Sequence, residues 1–143
     1  MKKIFCVFIL ATCSLFIFTA CTKAGGDTPD DPNQVDQNDD IFPVITINKP
    51  TANQVYVSGD SIIVEGKATD ERTLYKGKVQ LKNDLTGTIT AEQFFETHFL
   101  QLINFRLAYK SMVTASTDFT VIVEFQDHGL NTSNSTLKVK VNP

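Results

Sequence analysis

Alternation with a period of two is the feature that most limits what this chain can become. Phe119, Val121, Val123 and Phe125 are separated by Thr120, Ile122 and Glu124, with Gln126 following. Leu137, Val139 and Val141 alternate with Lys138, Lys140 and Asn142. Gly77, Val79 and Leu81 alternate with Lys76, Lys78, Gln80 and Lys82. Successive side chains of a strand point to opposite faces, so each run builds a sheet with one dry face and one wet face. Shorter runs at residues 44–47, 55–57 and 62–68 add strands, and Ile62, Val64, Gly66 and Ala68 share one face of the last. Turn signals stand between the runs: Ser58-Gly59-Asp60-Ser61, residues 83–87, and residues 127–131. Short alternating strands separated by turns predict an all-β fold, one antiparallel β-sandwich over residues 41–143.

Residues 91–109 admit two patterns. Phe94, Phe95, His98, Phe99, Leu102 and Ile103 fall at helical spacing, and Thr90 with Gln93 fits a capping box. Ile103, Phe105, Leu107 and Tyr109 alternate cleanly, and Phe95 and Phe99 share their parity. The alternation favours two strands over a helix. Their aromatic rings read first as core packing of middle strands and second as the lining of a ligand site.

The amino terminus has a separate logic. Lys2 and Lys3 precede an almost wholly apolar run, residues 4–18, which is followed by Thr19, Ala20 and Cys21. That run falls short of the roughly 20 residues a bilayer span needs. A basic start, an apolar stretch and small residues make the pattern of an export signal. With a cysteine directly after the small pair it resembles the lipobox of bacterial lipoproteins, and the resemblance implies cleavage after residue 20 and acylation of Cys21. A plain secretory signal and an uncleaved anchor are the competing readings. Cys6 and Cys13 leave with the leader, so the mature chain holds no cysteine pair and must rely on its core.

Charge separates the remaining chain into two parts. Residues 21–40 hold six aspartates against Lys23 alone, together with Gly25, Gly26, Pro29 and Pro32, and read as an acidic flexible linker. A chain of that length spans roughly 25 Å, enough to hold a domain clear of lipid head groups. Residues 41–143 carry ten bases and ten acids. A neutral body argues against a nucleic-acid partner, because phosphate contacts demand cations.

Pro43-Val44-Ile45-Thr46-Ile47 with Pro50, then Gly59-Asp60-Ser61-Ile62 leading into Gly66-Lys67-Ala68-Thr69-Asp70, then residues 119–131 with Asp127, Gly129 and Asn131, resemble the immunoglobulin-like domains of Bacteroidetes lipoproteins, many of unknown function. The acids after Cys21 resemble the surface-export signals of the same group. The resemblance implies an immunoglobulin-like sandwich on the outer membrane, facing the periplasm or the cell surface. It specifies a fold and hardly an activity.

Four groups of residues are candidates for chemistry. Asp70, Glu71, Asp127 and Asn131 sit at sandwich ends, where oxygen ligands suit a hard cation; such residues more commonly cap turns, and no metal site is assigned. His98 and His128 are the only histidines. No Gly-x-Ser-x-Gly, His-Glu-x-x-His or glycine-rich phosphate loop accompanies them, so no catalytic residue is assigned, no enzyme is expected and no cofactor is called for. Lys76, Lys78, Lys138 and Lys140 are expected on the outer face of one sheet, flanking Glu124, either as a basic stripe for an acidic glycan or as guards against edge-to-edge pairing. Asp60-Ser61-Ile62 resembles the O-glycosylation sequon of this bacterial group, which marks Ser61.

Two functions fit these readings. One is a lipid-anchored binding or adhesion module for a glycan or a protein of the cell envelope. The other is a structural accessory subunit of a larger envelope complex for polysaccharide uptake or secretion.

Overall fold

A computed structural model describes residues 35–143; Cys21, the leader and most of the linker lie outside the described residues. The described chain forms six strands: β1 (Val44–Lys49), β2 (Val55–Val57), β3 (Ser61–Asn83), β4 (Ile89–Lys110), β5 (Thr117–Asp127) and β6 (Thr132–Asn142).

β3 and β4 are too long for one layer. At about 3.3 Å per residue a straight strand of 23 residues would reach roughly 75 Å. Each bends instead and serves two layers of one curled six-stranded sheet. The first half of β3 pairs antiparallel with β1, from Val44 opposite Thr69, and with the second half of β4, from Ser61 opposite Lys110 to Thr69 opposite Leu102. The second half of β3 pairs with the first half of β4 and with β5, from Leu74 opposite Asp127 to Asn83 opposite Phe119. β5 continues to β6, and β6 pairs in parallel with β2. The order β1-β3-β4 therefore makes one layer, and β4-β3-β5-β6-β2 makes the other. Short β2 running parallel to the last strand, and the exchange of β3 between layers, give an immunoglobulin-like sandwich.

The alternating residues meet between the layers. Ile62, Val64, Ala68, Leu74, Val79, Leu81, Phe105, Phe119, Val121, Val123, Phe125, Val139 and Val141 are all buried. Phe105 from the first layer stacks on Phe125 from the second with centroids 5.9 Å apart, and Tyr109 meets Phe119 at 6.1 Å. Each such side chain contributes about 1.5–3 kcal/mol when fully buried. Glycines make room for the rings: Gly66 lies under Phe105 and Gly77 under Phe125.

Residues 91–109 are extended, as the alternation predicts, but lie in a single strand with a bend. Phe95, Ile103, Phe105, Leu107 and Tyr109 face the core. Phe99 does not share their face. It takes a left-handed φ of 67° at the bend and is 55% exposed. The strands expected separately at residues 62–68 and 74–82 are likewise one bent strand.

Candidate functional site

The outer face of the β4-β3-β5-β6 layer carries a continuous set of polar side chains. Two rows cross it. Glu96, Lys76, Gln126 and Thr132 stand opposite one another on successive strands, and so do Phe94, Lys78, Glu124 and Asn134. The two rows form an open groove of about 490 Å³ lined by Lys76, Lys78, Phe94, Glu96, Glu124 and Gln126. Phe94 is 66% exposed, whereas Phe95, next in the chain, turns inward against Phe125 at 5.7 Å. Gln126 Nε2 donates to Thr132 Oγ1 at 3.0 Å and to the Leu130 carbonyl at 3.2 Å, which fixes the orientation of its amide.

The four lysines lie on this face as expected, and carboxylates meet three of them. Lys78 Nζ is 3.1 Å from Glu124 Oε1, Lys138 Nζ 2.9 Å from Asp84 Oδ2, and Lys140 Nζ 3.2 Å from Asp118 Oδ1. Lys76 Nζ lies over the Tyr75 ring, 5.2 Å from its centroid. With Glu92 and Glu96 on β4 and Lys82 on β3, the face is a balanced mosaic of both signs. Asp84 and Asp118 are distant from the lysines in sequence, so the pairing is visible only once β5 and β6 are in register.

Burial works against the Asp84 carboxylate, but Lys138 and the Thr120 hydroxyl outweigh it and hold its pKa below the ordinary 3.8. Thr120 Oγ1 donates to Asp84 Oδ1 at 2.8 Å. A folded-state pKa below the unfolded one gives stability that is present above the unfolded value and lost as pH falls through the folded value. Lys138→Gln is therefore expected to destabilise the protein slightly at pH 7. The difference from wild type in urea midpoint should vanish in acid below the ordinary carboxylate value of 3.8.

The sandwich end near the β3 bend holds a second cluster. Asp70 and Asp127 are both buried there, and Asn131 joins them. The Asn131 amide donates to Asp127 Oδ1 at 2.8 Å and its Nδ2 to Asp127 Oδ2 at 3.0 Å. Leu130 accommodates its place between Gly129 and Asn131 with a left-handed φ of 67°. Glu71 stays exposed, and its carbonyl accepts from Gln101 Nε2 at 2.7 Å. Asp39 completes the cluster; its composition-matched neighbours make it look like linker in sequence. Burial pushes the Asp70 carboxyl up, the Arg72 amide pulls it down, and the Asp127 and Asp39 carboxylates add to the rise.

His98 and His128 come together with their rings 5.5 Å apart, and Tyr75 packs on both at 5.1 and 4.9 Å. Ser61 is exposed at the start of β3, next to the Ser58–Asp60 turn where Gly59 has a φ of 99°.

No protein-family model matches this chain. No curated protein matches it. Among solved structures, it is similar to the fibronectin(III)-like modules of Clostridium thermocellum CbhA, with TM-score 0.42 and 14% identity over 71% of this chain and 46% of that one. The chain thus spans just under half of that structure's length. It is also similar to the CARDB domain of a Pyrococcus furiosus protein solved in complex with di-metal ions, with TM-score 0.43 and 14% identity over 70% of this chain and 94% of that one. A Niemann-Pick type C2 protein from Japanese carpenter ant gives TM-score 0.42 and 11% identity over 71% and 90%. The strand pairing by itself defines the sandwich.

Proposed function

We propose that this chain is a lipid-anchored lipoprotein of the outer membrane, held through Cys21, whose immunoglobulin-like body binds a glycan in the groove on its β4-β3-β5-β6 face. The leader pattern supports the anchor. The observation that carries the ligand class is Phe94, two-thirds exposed among oriented polar groups. An aromatic ring has a negative face that attracts the polarised C–H groups of a sugar ring. Around it, Lys76, Lys78, Glu96, Glu124 and Gln126 offer donors and acceptors for hydroxyls. Binding and orientation are all this arrangement asks of the side chains, so the reading is a binder and not an enzyme.

The test is affinity electrophoresis of the full chain against a panel of neutral and acidic polysaccharides. Phe94→Ala is expected to lose at least about tenfold in affinity, equivalent to 1.4 kcal/mol, without a change in melting temperature. Replacing Lys138 and Lys140, the two of the four lysines that lie outside the groove, with glutamine is expected to leave retention on an acidic polysaccharide column unchanged, because Asp84 and Asp118 already meet them. Unchanged affinity in Phe94→Ala would remove the groove as the site; loss in the Lys138 and Lys140 double variant would restore the basic stripe.

One observation favours a protein partner as the second reading. Among the described residues β4 pairs only with β3, so its other edge, 22 residues long, is free. That strand also exposes Ile89, Phe99, Leu100 and Leu102. A long free apolar edge is a template for strand addition by another chain. A constant stoichiometric neighbour cross-linked to β4 in intact cells would identify the protein as an accessory subunit.

A further inference from the structure

We propose that Asp39, Asp70 and Asp127 form a buried site for one hard divalent cation of the calcium class, which staples the segment before β1 to the end of the sandwich. One carboxylate oxygen from each of the three lies within 4.8 Å of the others, and all three residues are buried. Sequence separates them widely; the β3 bend supplies Asp70, the end of β5 supplies Asp127, and the chain entering β1 supplies Asp39.

The hydrogen bonding leaves oxygens for an ion. Asp39 Oδ1 accepts from the Ile41 amide at 3.2 Å and Asp70 Oδ1 from the Arg72 amide at 2.9 Å. Asp127 is oriented by Asn131. These donors hold the three carboxylates in place. Asp39 Oδ2 and Asp70 Oδ2 are then inaccessible to solvent and without a hydrogen-bond partner, in residues that are each 7% exposed. A buried carboxylate oxygen without a donor carries a large desolvation penalty, and three like charges together add repulsion. Arg72 does little to relieve this: its Nε is 4.0 Å from Asp39 Oδ1, while its guanidinium bonds to Asp36 farther out.

The donor set selects the ion class. Oxygen-only ligands suit a hard cation, and calcium binds oxygens at about 2.3–2.6 Å. Oxygens around one such ion lie within about 4.6–5.2 Å of each other, and the three carboxylates here bring oxygens within 4.8 Å of one another. Magnesium bonds are shorter and that ion keeps more of its water.

The surroundings hold Asp39 at the site by other means as well. Asn131 Nδ2 donates to the Asp39 carbonyl at 2.9 Å, the Asp36 amide donates to the His128 carbonyl at 2.9 Å, and Gly129 leaves no room for a Cβ against the Asp39 backbone. An ion here therefore adds a cross-link between three segments that already touch.

The experiment uses the full chain in detergent, stripped with EDTA and titrated with calcium chloride by calorimetry and thermal melting. One calcium per chain is expected. The melting temperature should rise by roughly 10 °C or more when free calcium reaches a hundred times its dissociation constant. Asp70→Asn keeps the acceptor for the Arg72 amide but removes a ligand charge; it should lose most of the calcium response. It should also melt above the wild type in EDTA, because one of three repelling charges is gone. Glu71→Gln, exposed beside the site, should respond as wild type does. Absence of both heat and melting shift with calcium, magnesium and manganese at millimolar concentrations would overturn the proposal. So would an equal calcium response in wild type and Asp70→Asn.

Discussion

Replacing Phe125 with alanine is expected to lower the unfolding free energy by about 3–5 kcal/mol, the range for deleting a buried phenylalanine ring. Phe125 has no exposed surface. Its ring stacks on Phe105 across the two layers at 5.9 Å, touches Phe95 at 5.7 Å and fills the space above Gly77. Two strands, β3 and both halves of β4, thus lose a shared partner at once, and the cavity cannot close without moving both layers. A domain of this size has about 5–15 kcal/mol in all, so the loss removes a large part of its stability. The melting temperature should fall by upwards of about 10 °C. Phe94→Ala provides the internal comparison, since it removes the same ring from a position that is 66% exposed. Its expected effect on stability is under about 1 kcal/mol. Urea unfolding of both variants checks the pair, and similar midpoints for the two would mean that the core has been assigned wrongly.

That contrast between neighbouring phenylalanines shows what could be read in the chain and what could not. The faces of β5 and β6 followed from alternation, because those strands are straight and pair in unbroken register from Thr117 opposite Val141 to Gln126 opposite Thr132. Placement of Lys76, Lys78, Lys138 and Lys140 on one outer face followed for the same reason. In β4 the alternation lapses only at the bend: Phe95 and Ile103 face the core with the same parity on either side, while Phe99 between them takes a left-handed φ and faces out. Turn-forming chemistry around Asp70 likewise disguised a bend as a gap, so β3 read as two strands. Glu124 beside Lys78 is expected from the alternation, but the other two acid partners, Asp84 and Asp118, depend on cross-strand register, which local sequence does not encode. Asp39 was hidden most completely. Its neighbours have the composition of a flexible linker, and only the folded turn at residues 127–131 gives it a place to dock.

The two inward glycines are expected to separate when each is replaced by alanine. A Cβ on Gly77 would come closer than 3.0 Å to three atoms, all on the ring of Phe125. A Cβ on Gly66 would meet the ring of Phe105 and, besides it, the backbone carbonyl of Thr46 on β1. Overpacking of this kind costs typically 1–3 kcal/mol, so both single variants should lose stability. The rescue differs. Phe125→Leu shortens the nearest obstacle to Gly77→Ala, so the double variant should be more stable than the sum of the two losses by about 0.5–3 kcal/mol. Phe105→Leu removes one obstacle to Gly66→Ala and leaves the other, because the Thr46 carbonyl belongs to a strand and cannot turn aside. That double variant should stay close to additive, with β1 amides exchanging faster than in wild type. The β1 pairing carries the outcome: Ile47 stands opposite Gly66, and the register already slips between Ile47 and Lys49. An equal rescue in both pairs would place the strain at Gly66 on the ring alone and would show that β1 yields at little cost.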